Sequence, residues 1–134
     1  MSHSKELSDY RYEQAMECLR MADVMLGVGG YSGVANRSYY AIFHAMRSVM
    51  ALDKVDFKRH GQVIGYFRRE YIKTQIFPKE MSKIIDSLFM IRNESDYDDF
   101  FITSKEDVTT QLQSAKHFVS EIRKYLNSLP KEND

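Results

Sequence analysis

The sequence predicts an all-α chain, an up-and-down bundle of about five helices. Apolar residues recur at three- and four-residue steps almost throughout, the rhythm of helices with one buried face. The 134 residues include only two prolines, Pro78 and Pro130, and six glycines, so few positions break a helix. No stretch alternates at period two. Tyr97 to Ile102 comes nearest, and its paired aspartates argue against a strand.

The elements follow in order. Tyr12, Ala15, Met16, Leu19, Ala22, Met25 and Leu26 form the buried face of a first helix. Ser8 or Asp9 is expected to cap it, and the Gly27 to Gly30 region to end it. A second helix begins near Ser32 and buries Ala35, Ser38, Tyr39, Ile42, Ala45, Met46, Val49 and Met50. Asp53 to Arg59 is polar and reads as a connection. The third helix opens near His60, carries Val63, Ile64, Phe67 and Tyr71, and breaks at Ile76-Phe77-Pro78. The fourth runs from about Lys79 through Met81, Ile84, Ile85, Leu88, Phe89 and Ile91, and frays into the acidic, aromatic stretch Asn93 to Phe101. Ser104 with Asp107 three residues on marks the start of the last helix, which buries Val108, Leu112, Ala115, Val119, Ile122 and Leu126.

The length suits one domain, residues 1–134, and no linker or low-complexity segment divides it. Hydrophobic residues at 43% and charged residues at 28% exclude intrinsic disorder. A single cysteine, Cys18, excludes an internal disulfide and a cysteine zinc site. The chain start has no apolar core, and no apolar run approaches the ~18 residues of a membrane span. The expectation is a cytoplasmic protein with no membrane segment, no metal and no cofactor.

The zero net charge hides an asymmetry. Arg37 to Lys73 holds eight Lys/Arg against three Asp/Glu, and Lys79 to Asp107 holds four against eight. A basic central segment suits an anion such as a phosphate backbone, and it equally suits two solvated helix faces of opposite sign.

Several chemistries are excluded. No glycine-rich loop ends in Gly-Lys-Ser/Thr, and no two histidines stand at a metal-ligand spacing. More informative is the second helix, where Arg37, Tyr40, His44 and Arg47 share one stripe beside the apolar face. A positive, hydrogen-bonding row next to aromatic surface suits a phosphate or a base, and His44 could trade protons near neutrality. A plainer arrangement also fits, with Tyr40 and His44 satisfied at a helix seam and both arginines in water. Arg92-Asn93-Glu94-Ser95-Asp96-Tyr97 is the second candidate segment. Arg92 could bind a phosphate or carboxylate with two parallel bonds, oriented by Asp96, or could pair with Asp96 to fix the chain locally.

Together these segments resemble the HEPN domain family. The matching pieces are Asn36-Arg37-Ser38-Tyr39-Tyr40-Ala41-Ile42-Phe43-His44-Ala45, His60 at the start of the third helix, and Arg92 to Tyr97. Order and spacing are similar to the branch with an Arg-x-x-x-Asp-Tyr ending, and the resemblance runs from about Tyr10 to Leu126. It implies an all-α bundle that forms a homodimer, often encoded beside a minimal nucleotidyltransferase, and many such pairs behave as toxin and antitoxin. Active members of the family are metal-independent RNases with an Arg-x(4–6)-His motif. In them the arginine would stabilise charge at phosphorus and the histidine would exchange a proton.

Here Arg92 matches the arginine, but the histidine window holds Tyr97, Asp98 and Asp99. The resemblance therefore favours a nucleotide- or RNA-binding partner of a nucleotidyltransferase, with an RNase toxin or a purely structural dimer as the alternatives. Arg92, His44 and His60 are the catalytic candidates. Arg37, Tyr40, His44, Arg47, His60, Arg92, Asp96 and Tyr97 are the binding candidates. Arg37, His44, His60 and Arg92 are expected to converge on one groove, with Tyr40 and Tyr97 nearby.

Overall fold

The computed structural model describes the backbone of residues 3–97 and 104–130, and the side chains of residues 3–90 and 104–130. Among them lie five α-helices and no strand: α1 (His3–Gly27), α2 (Tyr31–Leu52), α3 (His60–Phe67), α4 (Glu80–Tyr97) and α5 (Lys105–Ser128). A π-helical turn, Arg68–Ile72, continues α3, with the Lys73 N–H donating to the Arg68 carbonyl at 2.8 Å.

The first helix is longer than its apolar rhythm. It starts at His3, so Ser8 and Asp9 lie inside it rather than at its cap, and Ser8 is buried. A Lys5–Asp9 pair at 3.0 Å, four residues apart, supports this extra turn, which apolar spacing does not register. The helix ends where expected. Gly29 takes φ +82°, and the Gly30 N–H donates back to the Met25 carbonyl at 2.8 Å, closing the last turn. A three-residue link, Val28 to Gly30, then turns the chain into α2.

The centre of the bundle is α2, which touches α1, α3, α4 and α5. Its contact with α1 is the most extensive in the protein. Small residues permit it: Ala15 and Ala22 on α1, and Ala35, Ala41 and Ala45 on α2, are fully buried. Tyr39, Ile42, Met46, Val49 and Met50 fill the space beyond them. The buried face of α5 adds Val108, Leu112, Ala115, Phe118 and Ile122, and α4 adds Met81, Ile85 and Leu88. All belong to one core cluster. The Ser104 hydroxyl accepts the Asp107 N–H at 3.1 Å, so the cap read from the sequence opens α5.

The segment after α2 positions the site. Lys54 adopts a left-handed conformation, φ 61°, and the Val55 N–H donates to the Met50 carbonyl at 3.2 Å. The chain doubles back over 53–59, and α3 then runs beside α2. Tyr66 and Tyr71 both donate hydrogen bonds to the Asp53 carboxylate, tying α3 and the π turn to the end of α2. Burial, the hydrogen bond donated to Asp53 and the carboxylate charge push the Tyr66 phenol up to about 12, so both tyrosines stay protonated donors at neutral pH. The chain leaves the helix at Ile72, before the Ile76-Phe77-Pro78 stop, and Phe77 folds back into the core with its N–H on the Tyr71 carbonyl at 2.8 Å.

Candidate functional site

The α2 stripe meets the start of α3. His60 stacks on Phe43 with ring centroids 4.2 Å apart, and its Nδ1 lies 2.9 Å from the Tyr39 hydroxyl. That hydrogen bond fixes the ring, with the imidazole tautomer setting which group donates. Tyr40 stands edge-on to His60 at 5.7 Å and lies 6.2 Å from His44. Tyr40, His44 and His60 therefore form one aromatic group on two elements.

Beside it Phe43, Arg47, Asp56, Phe57, Lys58 and His60 line an open cleft of about 550 Å³. Two arginines clamp Asp56. Arg47 donates from Nε at 3.2 Å and from Nη2 at 2.8 Å, and Arg11 of α1 donates from Nη2 at 3.1 Å. Arg11 is only 8% exposed and also donates to the Arg47 carbonyl at 3.1 Å. The Phe57 N–H adds a bond to the Asp56 carboxylate at 2.8 Å. Partial burial works against the Asp56 charge, but these donors and the two guanidinium charges outweigh it and hold the carboxyl below its usual range. Arg11, Arg47 and Lys58 against Asp56 leave the cleft net positive. Among the described residues no three His, Cys, Asp or Glu side chains gather as a metal ion requires.

Burial, with the charges of Arg47, Arg11 and His60, holds the His44 imidazole below its ordinary value of 6.5, so it is neutral at pH 7. A group whose folded pKa is depressed binds its proton more readily in the unfolded chain. Its contribution to stability is therefore complete above about pH 6.5 and is lost as pH falls through 6.5 towards the folded value. We expect the midpoint of thermal unfolding to drop between pH 7.5 and 5.5, and to drop less in His44→Gln. Equal acid sensitivity of the two proteins would refute this.

The sequence candidates divide into three groups. Tyr40, His44, Arg47 and His60 come together here. Arg37 lies towards α1, where its charge acts on the buried Cys18 thiol, and it does not line the cleft. Arg92, Asp96 and Tyr97 belong to α4 by backbone, and their side chains lie outside the described residues. One turn earlier on α4, the Phe89 ring stands 5.7 Å from Tyr39.

Arg11, Asp56, Phe57 and Lys58 were not among the sequence candidates. A signal existed for Arg11: with Ala15, Cys18 and Ala22 it occupies the buried spacing of α1, and a charge there requires a buried partner. Asp56 to Lys58 sit in a connection, where spacing says nothing about neighbours.

The HEPN domain family matches residues 8–125 of the chain. Three relatives align over nearly all of it. One, named UPF0332 protein, from Thermotoga maritima, is 28% identical over 129 residues, 96% of this chain and 98% of its own. Two from Methanocaldococcus jannaschii are each named "Putative toxin". They are 27% and 26% identical, covering 91% and 87% of this chain and 85% and 87% of their own.

Proposed function

The chain belongs to the HEPN domain family, and on that premise we propose that it is a nucleotide- or RNA-binding interaction module of a toxin–antitoxin-like pair. Its partner in this reading is a minimal nucleotidyltransferase, and the module itself is a single-domain cytoplasmic homodimer. The toxin names of the two archaeal relatives support the setting. The observation that carries the ligand class is the cleft: cations and aromatic rings on one wall, with His60 held flat on Phe43. A phosphate would meet Lys58 and the outer edge of Arg47, and a base would lie against Phe57 and His60. Arg92 joins this reading as the family arginine. Position 92 follows Phe89 by three residues, so the helical backbone of α4 puts both on one face. Asp96 and Tyr97 would orient it. Exposed Val24 on α1, Val28 just after it and Met90 on α4 are apolar surface that a second copy would cover.

A metal-independent RNase is the second reading. The neutral His44 imidazole supports it, because only the neutral form accepts a proton. Against it stands the absence of histidine from the window after Arg92.

The test is fluorescence anisotropy with a labelled single-stranded RNA. Wild type should bind, and binding should weaken steeply as salt rises. Lys58→Glu reverses a charge that has no ion-pair partner among the described residues, and it should weaken binding several-fold at low salt. No RNA binding at low salt, or binding indifferent to Lys58→Glu and to salt, would reject the module reading. Copurification with the product of the adjacent reading frame tests the partner.

A further inference from the structure

A second cleft, about 540 Å³, opens between the π turn and the start of α4. Arg68, Arg69, Lys73 and Lys79 surround it, over a floor that includes Gly65 and Ile72. Arg68 is paired with Asp86, and Arg69 with Glu70 at 3.0 Å. Among the described residues Lys73 and Lys79 have no carboxylate partner. Four cations against two carboxylates at one opening repel one another, and an anion seated among them would relieve that repulsion.

One ring, Tyr66, stands near a wall of each cleft. Phe57, a wall of the first, lies 5.7 Å ring to ring from Tyr66. The Arg69 guanidinium, a wall of the second, sits 5.6 Å from the centre of the same Tyr66 ring. Lys58, Phe57, Tyr66, Arg69 and Lys73 thus form a strip in which two adjacent rings are flanked by cations at both ends. From His60 to Lys73 the helical rise gives about 20 Å, the length of about six stacked nucleotides at ~3.4 Å each.

We infer that this strip joins the two clefts into one track for single-stranded RNA, with the Lys73–Lys79 cleft as a second phosphate site. The inference rests on reading the first cleft as an RNA site. Two rings set between cations favour nucleic acid over an acidic peptide, which would engage the cations and leave Phe57 and Tyr66 unused.

The experiment compares labelled two- and eight-nucleotide oligouridylates on wild type and on Lys73→Ala/Lys79→Ala. Neither lysine has an ion pair to lose among the described residues, and circular dichroism checks that the variant is folded. Wild type should bind the longer strand about 10-fold or more tightly. The double variant should lose that gain, lower the salt slope by ~1.4 (two phosphates at ~0.7 each on a single strand), and leave the short strand unaffected. If length gives no gain, or the variant matches wild type on the long strand, the track is overturned. Lys58-dependent binding of the short strand would in that case leave the first cleft standing. If neither strand binds, both readings fall. Polyglutamate displacing the long strand as well as unlabelled RNA does would overturn the choice of nucleic acid.

Discussion

A mixed RNA pool incubated with the protein alone is expected to survive, with cleavage ~100- to 10,000-fold below that of a family arrangement with its histidine in place. Cleavage at phosphorus needs a group that stabilises developing charge and a proton acceptor that works near pH 7. Arg92 fits the first role. Tyr97, Asp98 and Asp99 occupy the positions for the second. A tyrosine with an ordinary pKa near ~10 is a poor base at neutrality, and an aspartate repels the phosphate it would serve. Neutral His44 stands beside the cleft in a protonation state that suits the task, but it is half-buried and does not line the cleft. The assay is single-turnover cleavage with and without a chelator, beside Arg92→Ala and His44→Ala. Robust metal-independent cleavage that either variant abolishes would place the protein among RNase toxins. Intact RNA, with salt-sensitive binding reduced in Arg92→Ala, supports a binding module.

Phe67→Ala should cost ~3–5 kcal/mol of stability, a large share of the ~5–15 kcal/mol that holds a domain together. Phe67 is fully buried, and its ring lies 5.5 Å from Tyr71, 5.4 Å from Phe77 and 5.7 Å from Phe118. Those contacts join α3, the π turn, the following connection and α5. Truncation leaves a cavity among rigid rings that have few ways to collapse into it. Urea unfolding followed by circular dichroism measures the effect, and a loss below ~1 kcal/mol would show that the site repacks. Phe67 does not line the first cleft, so binding of a two-nucleotide RNA there should stay near that of wild type in the folded variant.

Most of the fold was legible because its signals are local. Apolar spacing, Gly29 after α1 and Ser104 before α5 act within a few residues of themselves, so order in the chain suffices to read them. The missed first turn of α1 is the same rule in reverse, since a polar turn held by Lys5 and Asp9 carries no apolar rhythm. The π turn was also invisible, because an extra residue in a helix is accommodated by packing. Within the candidate site, the stripe of Tyr40, His44 and Arg47 was readable from helical geometry, and so was the place of His60 at a helix start.

What the sequence alone determined is therefore the family, the number of helices and the face each one buries. Only the tertiary structure decided which charges remain available. Arg47 looked like a free cation on its helix, yet the returning 53–59 connection brings Asp56 to it, and α1 supplies Arg11 from 36 residues away. Arg37, on the same stripe, does not line the cleft, and its charge acts on Cys18 of α1. Lys73 and Lys79, outside every motif, have no carboxylate partner among the described residues at the rim of a cleft. A charge is neutralised by whatever lies within a few ångströms of it, and for these residues that neighbour is set by the path of a loop and the packing of helices, which no local spacing records.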